Sequence, residues 1–464
     1  MLGAVLINTI NFEKKQNIVW DILKQTIPLF LYYLVNFSFT LVDSIMIARV
    51  SESSLGAVGQ AGIFFNVVMM FFIGILTIYT PLMSRLNINE NPLIAKSRLI
   101  SSIGISLIFS VILFVLFSFT GKFFILFNQP VETTQLVEDY INILKYSVFI
   151  NLIYHLLVQT VNILNKTKII LYTVLGGNIL NVFLNWVLIY GNLGFERYEI
   201  VGAAIATVFS RVVMLIILIL FLNKKLPFSI FKIEKLTFDK AFLKDLVFKG
   251  TPKGVNSVND WFVSFLLVLF IGWGGVTYIA GNQVSDLLSS LMYMLPQAFC
   301  IVITIRVSKM LGQTNDGKEL KSNIKNLFKV IIPLNIAFLI LIYFSLPLLI
   351  SIFSLTPLSE AYNLAYDIML VHLFFFMFYS FQYFFVSILD SFLDISIPSA
   401  ISIATSYLFV LPLAFFFIFY GMGPVFVWIA DGLGNLILSI VFYFRVKNHL
   451  KNQSSLDRLI EEVS

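Results

Sequence analysis

Apolar runs of about twenty residues or more recur along nearly all of this 464-residue chain, with short polar segments between them. A helix needs about 20 mostly apolar residues to cross the hydrocarbon core of a bilayer, and roughly twelve runs reach that length. They lie near 26–48, 57–83, 99–119, 138–163, 167–190, 200–222, 251–272, 277–304, 325–351, 365–389, 395–419 and 423–445. Each run is continuous, whereas the strands of a membrane barrel alternate apolar and polar residues over short segments. The fold class is therefore all-α integral membrane, with twelve transmembrane helices. Composition agrees: 59% of residues are hydrophobic, 12% are charged, and the mean hydropathy is +0.92. A soluble domain carries about 25% charged residues. The single Cys300 cannot form an internal disulfide. The N-terminal stretch 2–7 has no basic residues ahead of it, so it does not read as a cleavable signal.

The net charge of +6 would suggest a nucleic-acid partner in a soluble protein, but here the basic residues fall in loops and none is expected. Lys14, Lys15 and Lys24 precede the first run, Arg85, Lys96 and Arg98 follow the second, and Lys166 and Lys168 follow the fourth. Seven lysines occupy 224–249, after the sixth. Arg306, Lys309, Lys318, Lys321 and Lys325 follow the eighth, and Arg445, Lys447 and Lys451 follow the last. The intervening loops are poor in Lys and Arg. The basic side is cytoplasmic, which puts both termini in the cytoplasm of a multi-pass protein of the plasma membrane. The basic stretch also divides the chain: an N-terminal lobe, 1–223, a connection, 224–249, and a C-terminal lobe with its tail, 250–464. Six spans return the chain to its starting side, so the halves have the same orientation, a parallel repeat.

Charged residues inside a span are costly, about 2.5–3.5 kcal/mol at the helix centre, and commonly face a cavity, an ion or a partner. Asp43 lies in the first span, Asp260 in the seventh, Asp286 in the eighth and Asp431 in the twelfth. Each can take up a proton, bind a cation or hydrogen-bond a neighbouring helix. Asn181 and Asn185 in the fifth span are four apart and share a helix face. Their amide oxygens suit Na⁺ or an acid, and equally suit interhelical packing. Thr207 follows the small-residue stretch of the sixth span. His155 reads as a hydrogen-bonded packing residue rather than a relay, and Lys145, Arg211 and Lys253 as side chains that snorkel or sit near interfaces. The sequence has no Walker loop, no His/Cys metal spacing and no nucleophile elbow, so no enzyme activity and no cofactor beyond a coupling ion are expected.

Several stretches, in order, resemble the multidrug and toxin extrusion (MATE) transporters. They are Val42-Asp43-Ser44-Ile45-Met46-Ile47-Ala48 continuing to Gly59, Leu180-Asn181-Val182-Phe183-Leu184-Asn185-Trp186, and Val201-Gly202-Ala203-Ala204-Ile205-Ala206-Thr207. In the second half they are Ala280-Gly281-Asn282-Gln283-Val284, Ser290 to Pro296, and Trp428-Ile429-Ala430. The likeness runs from about residue 18 to 447. It implies two six-helix lobes in a V that open to one side at a time. It also implies export of amphipathic, often cationic compounds in exchange for Na⁺ or H⁺. The resemblance makes Asp43, Asn181, Asn185 and Thr207 the coupling site, with Na⁺ a candidate ion at Asp43, Asn181 and Asn185. One subgroup pairs an acid at the position of Asp260 with an Asp in the tenth helix, where this chain has Tyr379. Asp260, Gln283, Asp286, Tyr379 and Asp431 are the candidate substrate contacts of the C-terminal lobe.

The expected activity is secondary active antiport by alternating access, by a monomer in lipid. The alternative within the superfamily is a lipid-linked oligosaccharide flippase, which the acidic intramembrane set argues against. A non-transporting scaffold or an intramembrane enzyme is a more distant reading.

Overall fold

The computed structural model describes residues 20–38, 42–43, 46–47, 49–50, 52–126, 131–229, 238–272, 276–313, 317–351 and 360–463. Among them, ten helices are long and apolar enough to cross a membrane, and an eleventh span is the pair Thr134–Leu144 and Ser147–Ile163, bent by 53°. These eleven fall on the second to twelfth expected runs. The first run is described as helix over 20–38 and at 42–43 and 46–47; its other residues lie outside the described set. The fold is an all-α membrane fold.

The seventh span starts earlier than its apolar run, at Lys240, so the last part of the basic connection is helical. A pair four residues apart, Lys249 Nζ to Asp245 Oδ2 at 2.9 Å, supports that polar turn. The last helix runs from Pro424 to Val463, well past the end of its apolar run. Proline interrupts the spans unequally. The second is broken at Ile78, just ahead of Pro81, whereas Pro252 and Pro296 are carried inside continuous helices.

Many large apolar side chains stand on the outer faces: Leu408 is 80% exposed, Phe344 76% and Ile179 72%. In lipid such surface carries no hydrophobic penalty, so helix association depends on close packing and polar contacts. By packing, the chain divides into two units, residues 31–258 and residues 1–30 with 259–464. In the second unit, Ile368, Val427 and Ala430 pack with Leu267 and Ile271 in a dry cluster. In the first, glycines bring two helices together. A Cβ on Gly74 would lie 2.7 Å from Gly254 Cα, and one on Gly254 would lie 2.5 Å from the Phe71 carbonyl oxygen.

Helix ends that the charge pattern assigns to one side of the membrane also meet in space. Arg98 Nε donates to Asp239 Oδ2 at 3.2 Å. Arg445 binds Asp394 with both prongs of its guanidinium, Nε to Oδ2 at 2.5 Å and Nη2 to Oδ1 at 2.8 Å. His449 Nε2 adds a contact to Asp394 Oδ2 at 2.7 Å. Asp394 lies in the loop between the tenth and eleventh spans. Burial works to raise its pKa, but the bonds and charges of Arg445 and His449 outweigh burial and hold the carboxyl below its ordinary range. A carboxylate whose folded pKa is depressed stabilises the fold fully above the ordinary value of about 3.9 and loses that contribution as pH falls through the lower folded value. Asp394→Asn should therefore cost about 1.5–3 kcal/mol at neutral pH, the range for hydrogen bonds to charged groups. The deficit should vanish in acid. Thermal unfolding in detergent across that range checks both statements; an equal deficit at every pH would contradict the ion-pair account.

Candidate functional site

The four residues expected at the coupling site come together inside the unit of residues 31–258. Asp43 is 9% exposed, Asn181 1%, Asn185 0% and Thr207 3%. Asn185 Nδ2 donates to Asp43 Oδ1 at 2.5 Å and to Asn181 Oδ1 at 3.1 Å. The Thr207 hydroxyl donates to Asp43 Oδ2 at 3.4 Å, and Asn181 Nδ2 to the Thr207 oxygen at 3.5 Å. The network closes on itself, linking the first, fifth and sixth spans. Local sequence explains the approach. Gly202 packs against the backbone of the fifth span, where an added Cβ would meet the Leu188 carbonyl oxygen at 2.7 Å. Asn181 and Asn185 then share one helix face, one turn apart.

Both Asp43 oxygens accept hydrogen bonds, which is the arrangement a carboxylate anion satisfies. Five side-chain oxygens of hard character belong to this network: two from Asp43 and one each from Asn181, Asn185 and Thr207. Asn185 Oδ1 is buried and meets no donor among the described residues. With the amide turned end for end, that oxygen can accept the proton of a neutral Asp43 carboxyl. Turned in the same way, it can also join the other oxygens around a small hard cation. Asn178, three residues before Asn181, stands apart: its amide donates to the Val35 carbonyl at 2.8 Å, an interhelical packing bond.

Arg211 does not snorkel as expected. It lies one turn beyond Thr207 on the same face of the sixth span, half-buried. Its Nη1 donates to Ser147 Oγ at 3.1 Å, and its charge acts on Asp43. The spacing of four from Thr207 was the sequence signal for this placement.

The candidates of the C-terminal half separate. Asp260, Tyr379 and Asp431 line one cavity of about 140 Å³ in the unit that holds residues 259–464. Gln283 and Asp286 do not line it. The two carboxylates of the cavity are close enough for their charges to act on one another. Asn435 Nδ2 donates to Asp431 Oδ2 at 3.1 Å. Tyr379 stacks on Tyr293 with ring centroids 4.1 Å apart, and Tyr383 follows at 5.0 Å from Tyr379. The tenth-helix position where the resemblance leads one to expect Asp is thus an aromatic wall, and the second carboxylate comes from the twelfth helix. Sequence reasoning missed Tyr383, Gln382 and Asn435, which also line the cavity. Part of the wall is a π-helical turn, Ser406–Val410, a deviation common where helices form sites. The motif residues Asn282 and Trp428 meet directly, the indole Nε1 donating to the amide oxygen at 2.8 Å.

The MatE family model matches residues 28–187 and 252–416, once in each half of the chain. This chain belongs to the MatE family. Among similar proteins, the probable multidrug resistance protein NorM of Bacillus anthracis is 26% identical over 299 residues, 63% of this chain and 66% of that protein. The match spans slightly less than two thirds of that relative's length. The multidrug resistance protein NorM of Photobacterium profundum is 25% identical over 328 residues, 70% of this chain and 72% of that protein. Solved structures share the fold. An outward-facing multidrug resistance MATE family transporter of the MOP superfamily superposes with TM-score 0.83 at 19% identity, covering 94% of this chain and 96% of that one. A MOP superfamily transporter from Pyrococcus furiosus, described as having a binding pocket of reverse polarity, gives the same TM-score over 93% of this chain and 96% of that one. One match lies before the basic stretch 224–249 and the other after it, and each side contributes one of the two polar clusters.

Proposed function

We propose that this MatE-family chain is a secondary active antiporter that exports amphipathic, often cationic organic compounds in exchange for Na⁺ or H⁺. The observation that carries the reading is the closed network of Asp43, Asn181, Asn185 and Thr207, a buried carboxylate whose neighbours supply both donors and a spare acceptor. Loading that network with a proton or Na⁺ changes its charge by one. Such a change biases a two-state element only in so far as the two states bind the ion differently. The functional lobes are 1–223 and 250–464, joined by the basic connection 224–249, with both termini cytoplasmic. The cavity at Asp260 and Asp431 attracts the cationic end of a substrate, and the Tyr379 and Tyr383 rings that line it add faces suited to cation–π contact. The relatives named as multidrug resistance proteins support this activity.

The deciding experiment reconstitutes the full chain in vesicles and imposes Na⁺ and pH gradients separately while a fluorescent organic cation is followed. Efflux driven by one gradient and abolished when that gradient is collapsed is the expected result. Equal movement with and without either gradient would reject antiport.

A further inference from the structure

Within the unit of residues 31–258, a second cavity of about 220 Å³ is lined by Arg211, Tyr154, His155 and the amides of Asn36, Asn66 and Asn151, and no lining residue is acidic. Its polarity is opposite to that of the cavity at Asp260 and Asp431. An arginine inside a membrane span is expensive unless its donors and its charge are met. Arg211 has five N–H donors. Its single hydrogen bond among the described residues goes to the neutral Ser147 hydroxyl. Asp43 acts on it through charge, but no carboxylate lies within ion-pair distance of it among the described residues. Two further groups are unsatisfied: Tyr154 Oη and His155 Nε2 are buried and have no partner among the described residues. A guanidinium fork with unused donors, a phenol hydroxyl, an imidazole and amide N–H groups around one space form a set that an oxyanion completes.

We propose that this cavity is a binding subsite for the carboxylate, or an equivalent oxyanion, of an organic compound that the chain carries, with Arg211 as its anchor. The inference rests on the reading of the chain as an exporter and extends its substrates to compounds that bear an anionic group. Arg211 supplies charge and two parallel N–H donors, while Tyr154 and His155 fix orientation. The volume admits a single aromatic ring with its carboxylate, and the apolar lining of Phe65, Met69 and Met214 suits the ring.

The test is calorimetric titration of the purified full chain in detergent with salicylate and with salicylamide, which differ in the carboxylate. Salicylate should bind about tenfold more tightly or better, as a charge-assisted hydrogen-bonded pair requires. Arg211→Gln should reduce salicylate to the level of the amide. Arg211→Lys should keep part of the preference, since an ammonium retains charge and loses the fork. Tyr154→Phe, a milder change that preserves the ring, should weaken salicylate alone. Equal affinity of the unaltered chain for the two compounds would overturn the proposal whatever the variants do. So would full salicylate affinity in a folded Arg211→Gln chain, which would leave Arg211 as a counter-charge to Asp43. Failure of the export reading is separately visible: vesicles would show no gradient-driven efflux even if salicylate binds.

Discussion

Asp43→Asn should abolish gradient-driven export and leave the protein folded. The substitution keeps the shape of the site. An asparagine oxygen still accepts from Asn185 Nδ2, which reaches Asp43 Oδ1 at 2.5 Å, and its amide nitrogen faces the Thr207 hydroxyl. The titratable charge is what disappears. A carboxylate within a span carries an insertion cost of about 2.5–3.5 kcal/mol, so its removal does not destabilise the helix. Coupling is lost for a different reason. An ion shifts a conformational equilibrium only by its differential affinity for the two states, and a site with no ionisable group has little affinity for H⁺ or Na⁺ in either. Proteoliposomes containing the variant should show efflux at the level of protein-free vesicles under both Na⁺ and pH gradients. The size-exclusion profile and expression should match the unaltered chain. Efflux at the original rate would remove Asp43 from the coupling role.

Gly254→Leu should prevent stable folding. Gly250 and Gly254 lie one turn apart on the seventh span, against the second span. A Cβ on Gly250 would come within 2.6 Å of the Ile75 carbonyl oxygen, and one on Gly254 within 2.5 Å of the Phe71 carbonyl oxygen. Both obstacles are backbone, which cannot rotate aside. Overpacking a core costs about 1–3 kcal/mol when side chains can adjust, and here the helices themselves must separate. Membrane helices have no hydrophobic drive to hold them through such a gap, because lipid solvates their faces equally well. The measurement is thermal unfolding followed by size exclusion, with Gly254→Ala as the graded control: alanine should lower the midpoint and leucine should leave little monodisperse protein. A normal midpoint for the leucine variant would show that this contact is not needed.

The spans were legible because the bilayer imposes a length on every helix that crosses it. The early start of the seventh span at Lys240 was not legible, since Asp245 and Lys249 look like loop residues until helical spacing pairs them at 2.9 Å. Asp43 stood out as a charge in an apolar run. Its partners Asn185 and Thr207 lie 142 and 164 positions away, so only the family resemblance grouped them. Arg211 shows the limit from the other side. Its spacing from Thr207 placed it on the same face, yet the long side chain of an arginine in a span is ordinarily read as snorkelling toward an interface.

Sequence alone indicated an all-α membrane chain and the acids that lie within its spans, because hydropathy and the expense of buried carboxylates are properties of local segments. Tertiary structure alone decided which of those acids share a space. It placed Asp260 and Asp431 in one cavity with Tyr379, left Asp286 and Gln283 out of it, and lined a separate cavity with Arg211, Tyr154 and His155. The reason is geometric. A helix directs its residues around a full turn, and which face meets a neighbour depends on packing between helices that are distant in sequence.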